Sequence, residues 1–414
     1  MRVLLHGAGF VNKGAEAMLL TVKRQLQQRL GDVSFCVLER SVSPDTEGRH
    51  RAEQIELVYE KPTAWSRLRY LAEGVIRRPI GLARDSRSMY HFAPLASAIE
   101  SVDAIIDISG YAYGAPWGPS RAAITNILLD AATSRRKPYI FLPQAWGPFD
   151  QPHRRAQYRR VAGRGTMLFA RDRQSRAYLS GLLSTQSAEI EVAPDVAFRF
   201  DSADVKVGQT ILNELGFSIG SDQVVGIAPN RKVYERTCGS GLENEYVRAL
   251  IDISRQIAES GYGVVLIPHE IQAASTGAFD DRILCALVAA EARHPRVRAL
   301  AGQPTAAELK SVISQLACLI GSRFHTLVAA LSSRVPVMAL GWSHKYVELL
   351  EEFGCGEFVL DHTELQSADL GRRFATLMTK RDMIREKLAH ELVRIESAVD
   401  TTFDKVANTL TRAA

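Results

Sequence analysis

Short apolar runs alternate with stretches of helical periodicity along almost the whole chain. "RVLLHG" (2–7) is apolar and stops at a glycine. "AEAMLLTVKRQLQQRL" (15–30) follows with helical spacing and strong helix formers, and Gly31 stands after it as a stop signal. "VSFCVL" (33–38), "DAIIDISG" (103–110), "PYIFLPQ" (138–144), "MLFARD" (167–172) and "EIEVAPD" (189–195) continue the strands, and a helix is predicted over 121–136. After a more polar stretch, 200–222, the cycle restarts with "QVVGIAPN" (223–230), "YGVVLIPHE" (262–270), "ACLIGS" (317–322) and "VPVMALG" (335–341). Helices are predicted over 243–260, 281–293 and 305–316, with one or two more across 381–410. Continuously apolar strands joined by helices belong in a parallel sheet covered on both faces. The expected fold class is α/β, with two Rossmann-like doubly wound domains, 1–202 and 203–414, facing a cleft. Ligands of such sheets lie outside the carboxyl ends of the strands.

At 414 residues the chain is too long for one ordinary core, which agrees with two domains. Hydrophobic content of 46% and charged content of 23% are those of a soluble globular protein. No long uncharged apolar run is present, so no transmembrane helix is expected. "MRVLLHGAGF" reads as a first strand, not a signal peptide. The five cysteines (Cys36, Cys238, Cys285, Cys318 and Cys355) are scattered, with no CxxC pair. That argues against a disulfide framework and a cysteine zinc site, and it suits a reducing cytoplasm. A net charge of +5 is too mild to imply nucleic acid, but it suits an enzyme of anionic small molecules.

The candidate chemistry sits at strand ends. In "CLIGSRFHTLVAAL" (318–331) the strand stops at Gly321 and a helix is expected to start just after His325. Free N–H groups and the helix dipole there favour an anion. Arg323 adds a planar charged fork, and His325 can pass a proton near neutral pH. The bland alternative is that Arg323 pairs with a carboxylate and His325 caps the helix. Asn230 and Arg231, His269 and Glu270, and His344 and Lys345 follow three more strands of the same half. Together these four strand ends describe a basic cleft. The glycine-rich turn "HGAGFVNKGAEAML" (6–19) is neither GxGxxG nor a P-loop, so it is no nucleotide fingerprint. It lets a backbone approach a ligand, with Asn12 and Lys13 at its tip, or it is a plain tight turn. In "PQAWGPFD" (143–150), Gln144 and Trp146 place an amide beside a ring, as a sugar face or a rigid loop would need. Asp172 and Ser175 read as local caps, and Asp195 as structural. Neither HExxH spacing nor GxSxG is present, so no metal site and no serine nucleophile are expected. Arg67, Arg69, Arg77, Arg78, Arg84 and Arg87, interleaved with Trp65 and Tyr70, make a lid, a surface for anionic lipid, or a solvated helical insertion.

"GAGFVNKGAEAML", "PQAWGPF", "ARDRQS", "APDVAF" and, most specifically, "IGSRFHTLVAALSSRVPVMALGWSHKYVELL" resemble, in order, segments of the polysaccharide pyruvyl transferase family. The resemblance implies a GT-B-like pair of domains. It implies phosphoenolpyruvate as co-substrate without any cofactor, and a pyruvate ketal formed on sugar hydroxyls, with phosphate released. The family's arginine and histidine map onto Arg323 and His325 as catalytic residues, and its lysine onto Lys345. Arg231, Asn230 and His269 join Lys345 as donor contacts. The amino-terminal domain becomes the acceptor side, with Asn12, Gln144 and Trp146. The acceptor is a glycan, a lipid-linked sugar or a nucleotide-activated sugar, handled in the cytoplasm or at the inner membrane face. "NKGAEA" and "SGYAYG" (109–114) depart from the family pattern and bear on acceptor identity. A GT-B glycosyltransferase using a nucleotide sugar, or a non-catalytic sugar or anion binder, would share this architecture.

Overall fold

A computed structural model describes residues 1–7, 9–39, 43–59, 98–114, 119–183, 189–221, 223–272, 280–365 and 367–413. The arginine-rich stretch 67–87 lies outside them. The first sheet contains β1 (Arg2–His6), β2 (Ser34–Glu39), β3 (Ile55–Tyr59), β4 (Ala104–Asp107), β5 (Tyr139–Gln144), β6 (Met167–Ala170) and β7 (Ile190–Val192). Their order is β3-β2-β1-β4-β5-β6-β7. The second contains β8 (Val224–Ala228), β9 (Gly263–Leu266), β10 (Val297–Ala299), β11 (Cys318–Gly321), β12 (Val337–Gly341) and β13 (Val359–Asp361), in the order β10-β9-β8-β11-β12-β13. All these pairings are parallel. The fold class is therefore two Rossmann-like α/β domains. The central strands β4, β5, β8, β9, β11 and β12 are buried at every residue, as strands covered by helices on both faces must be.

Strand order reverses between β1 and β4 in one sheet and between β8 and β11 in the other. A crevice opens at such a switch point, outside the carboxyl ends. Here the two crevices meet. The N–H of Lys13, after β1, donates to the carbonyl of His269, after β9, at 3.0 Å, and the N–H of Ile271 donates to Val11 at 3.0 Å. Glu16, in the helix Lys13–Leu30, is fully buried. It is 3.1 Å from Lys13 Nζ, pairs with Arg49, and accepts the N–H of Ala306 from the second domain at 2.9 Å.

The last helix, Arg381–Ala413, is one element of 33 residues. Its apolar stripe (Ile384, Leu388, Leu392, Ile395, Val399, Phe403, Val406, Leu410) recurs every three or four residues and is buried along its length. It starts on the second domain, where Arg381 reaches Gln223 at 2.7 Å, and ends on the first. There Asp400 pairs with Arg199, and Thr409 Oγ1 lies 3.2 Å from Met167 Sδ. At 1.5 Å per residue it spans about 50 Å, long enough to tie both domains together.

Candidate active site

His325 lies in the first turn of the helix Phe324–Ser332, which starts two residues earlier than the sequence suggests. Its imidazole faces the first domain. A Cβ on Gly14 would sit 2.1 Å from His325 Nδ1, so only glycine lets the helix Lys13–Leu30 come this close. His325 Nε2 is 3.5 Å from Asp195 Oδ2, and the same oxygen accepts from Arg171 Nη1 at 2.6 Å. Asp195 Oδ1 accepts the N–H of Ala197 at 2.9 Å. Burial works to raise the Asp195 pKa, but His325, Arg171 and that N–H together hold it well below the usual carboxylate range. The carboxylate is thus ionised beside the imidazole.

Lys345 is the second residue of the helix His344–Glu352, after β12. It is 8% exposed, and its Nζ lies 4.6 Å from the ring centre of Trp342, 5.0 Å from Tyr111, 5.3 Å from Tyr346 and 5.6 Å from Phe324. Burial first, and then Arg171, Arg323 and Arg236, push its pKa well below the ordinary lysine value. Arg171 stacks on the Phe324 ring at 3.8 Å, and its Nε has no partner. Ser343, at the N-cap of the same helix, makes no capping bond, and its Oγ has no partner. A concentration of positive charge against uncapped helix ends is a place for an anion.

The other sequence candidates fare differently. Arg323 is 7% exposed and clamped, Nη1 to Glu270 at 2.8 Å and Nη2 to Asp281 at 2.6 Å. Two carboxylates neutralise the fork that the sequence offers to an anion, so Arg323 holds the β9 and β11 ends together. Asn230 is committed as well. Its Nδ2 donates to Ser322 O at 2.6 Å and its Oδ1 accepts from Lys232 N–H at 2.8 Å, so it is a structural tie and not a donor contact. Arg231 Nε meets Glu235 at 2.5 Å one turn on, at the surface of its own helix. His269 is buried and its ring runs nearly parallel to His325, with centroids 6.4 Å apart. Burial, then His325, Arg323 and Lys13, hold its pKa well below the usual histidine value.

On the acceptor side, Asn12 caps the helix Lys13–Leu30, accepting from Gly14 N–H at 2.9 Å and Ala15 N–H at 3.2 Å. Trp146 corrects the sequence reading. Its ring is wholly buried, stacked on Tyr113 at 4.8 Å, and its N–H donates to Phe169 O at 3.0 Å, so it offers no face to a sugar. Gln144, fully buried where the β5–β6 register shifts, has no partner for either amide atom. Asp172 caps as expected, its Oδ1 accepting Ser175 N–H at 2.6 Å. Sequence reasoning passed over Asp195 and Arg171 because an Asp after Ala-Pro at a strand end resembles an ordinary turn. Their signal was position, at neighbouring strand ends of one sheet. Among the described residues, no group of three or more His, Cys, Asp or Glu could hold a metal ion. No described helix is long and apolar enough to cross a membrane.

A family model described as polysaccharide pyruvyl transferase matches residues 12–344. No curated protein matches the chain. Among solved structures, Anabaena Alr3699/HepE in complex with UDP-glucose is similar at 15% identity and TM-score 0.62, covering 100% of both chains. UDP-GlcNAc 2-epimerase from Neisseria meningitidis is similar at 12% identity and TM-score 0.61, covering 99% of this chain and 100% of that one. Arabidopsis thaliana UGT89C1 with quercetin is similar at 12% identity and TM-score 0.59, covering 99% of each. At these identities the likeness shows a shared GT-B-like fold.

Proposed function

The chain belongs to the polysaccharide pyruvyl transferase family, and from that premise we propose that it moves the enolpyruvyl group of phosphoenolpyruvate onto two hydroxyls of a sugar, forming a pyruvate ketal and releasing phosphate. The observation that carries this reading is His325 of one domain set 3.5 Å from the ionised Asp195 of the other, beside the buried Lys345 and the stacked Arg171.

Phosphoenolpyruvate brings a carboxylate and a phosphate on one carbon. Lys345, the free Nε of Arg171 and the uncapped start of the helix His344–Glu352 supply the opposing field. Arg323, already neutralised, positions His325 without binding the donor itself. In the reaction the methylene carbon gains a proton and the first hydroxyl oxygen bonds to the central carbon as it loses its own proton. His325 is the carrier in this exchange, with the Asp195 carboxylate beside it. The second hydroxyl then bonds to the central carbon as the carbon–oxygen bond to phosphate breaks, and its proton leaves with the phosphate. Positive charge held in place before the reaction stabilises the departing phosphate. Sugar hydroxyls of a glycan, a lipid-linked sugar or a nucleotide-activated sugar are the acceptor class, and the cytoplasm, where phosphoenolpyruvate is made, is the proposed site of action.

Two measurements test the reading. Phosphoenolpyruvate should raise the thermal midpoint of the folded chain, and nucleoside diphosphates should not. A shift with a nucleoside diphosphate alone would transfer the case to a nucleotide-sugar glycosyltransferase. His325→Ala should lower phosphate release by about a hundredfold or more with the fold intact. Full release by that variant would remove His325 from the chemistry.

A further inference from the structure

Resting on that reading, a second set of groups at the same domain seam names how the acceptor is held. Asp172 follows β6 in the first domain and is 9% exposed. Its Oδ1 is used by the Ser175 N–H, while Oδ2 is buried with no partner. His344 follows β12 in the second domain, and its Nε2 is also buried with no partner. The two side chains face each other, Nε2 to Oδ1 at 3.8 Å, too far for a hydrogen bond. The rings around them come from both domains. Tyr178 lies 5.6 Å and Tyr111 6.3 Å from the His344 ring, and Tyr111 lies 6.2 Å from Trp342. Close by, the Arg173 N–H reaches across the seam to Glu348 at 3.2 Å, so the two walls are held together.

A buried carboxylate oxygen and a buried imidazole nitrogen left unpaired are costly, and each such group calls for a partner. A hydroxyl both donates and accepts, so one hydroxyl can donate to the carboxylate and accept from the imidazole N–H. The two side chains, 3.8 Å apart at Nε2 and Oδ1, stand close enough across the seam for one group to reach both. Burial first lowers the His344 pKa; Asp172 opposes this, and Arg171 and Lys345 add to it. We propose that Asp172 and His344 hold a hydroxyl of the acceptor sugar between the two domains, with Tyr111, Tyr178 and Trp342 walling the sugar's apolar faces. The site takes a neutral pyranose with a free diol. It assembles only when the domains close, since each supplies one half of the pair.

Asp172→Asn keeps the Ser175 cap through its remaining oxygen and replaces only the unpartnered one with an amide. Binding of methyl gluco-, galacto- and mannopyranosides, measured by saturation-transfer NMR with phosphoenolpyruvate present, should be seen in the wild type. It should weaken about tenfold or more in Asp172→Asn and in His344→Phe. The phosphoenolpyruvate-induced rise in thermal midpoint should stay unchanged in both variants. Equal sugar binding in the wild type and both variants, or none in the wild type, would overturn the site. Sugar binding that depends on Asp172 in a chain that phosphoenolpyruvate does not stabilise would keep this site and remove the pyruvyl-transfer reading beneath it.

Discussion

Lys345 shows what a single residue contributes once its surroundings are known. An ammonium ringed by Trp342, Tyr111, Phe324 and Tyr346, with Arg171, Arg323 and Arg236 around it, is held toward its neutral form. A bound phosphate or carboxylate reverses the balance and raises its pKa, so donor binding should take up a proton and tighten as pH falls. Calorimetric titration of phosphoenolpyruvate in two buffers of different ionisation enthalpy measures the uptake directly, and identical heats in both would mean that Lys345 takes up no proton on binding. Arg323 teaches the opposite lesson. Its charge and place in the chain point to an anion, but Glu270 and Asp281, 53 and 42 residues away, already occupy it. Removing one member of such a buried cluster leaves the others unpaired. A loss of activity in Arg323→Ala would therefore report on architecture before it reported on chemistry.

At the scale of elements, Lys310 in the helix Ala306–Ser314 ties the second domain to the end of the first. Its Nζ donates to Phe200 O at 2.6 Å in a site that leaves it 7% exposed. Burial, opposed by Glu396 and helped by Arg24, lowers its pKa from 10.5 to about 8. Because the folded value lies below the unfolded one, the unfolded chain binds more protons between those two pH values. This group alone therefore makes stability rise as pH goes from about 8 to about 10.5, by at most about 3 kcal/mol. Urea unfolding of the wild type and Lys310→Met across that range should show the wild type gaining on the variant as pH rises, and parallel curves would refute it. The sequence already marked most elements, because a strand covered on both faces must be apolar at every position. The edge strands β3, β10 and β13 escaped, being short and carrying polar or half-exposed positions such as Glu56, Arg298 and Asp361.

For the whole molecule, the two crevices join because Val11 and Lys13 bond across to His269 and Ile271, Glu16 receives the Ala306 N–H, and Gly14 admits His325. Adding one methyl at Gly14 must displace the imidazole or part the domains. Gly14→Ala should therefore lower kcat by about a hundredfold while the unfolding transition persists, a loss of the size that a misplacement of about 1 Å produces. Wild-type turnover in that variant would show that the observed closeness is not needed. Apolar alternation and its glycine and proline punctuation are local properties, and they sufficed for the α/β class, the parallel sheets and the strand ends where chemistry gathers. The blocks around Arg323, His325 and Lys345 sufficed for the family. Which polar side chain is free and which is spent depends on partners far away in the chain. Tertiary structure alone turned Trp146 into core, paired Arg323 with carboxylates, and set Asp195 against His325 and Asp172 against His344. Those contacts are made between strand ends of separate crossovers and separate domains, and no local pattern encodes them.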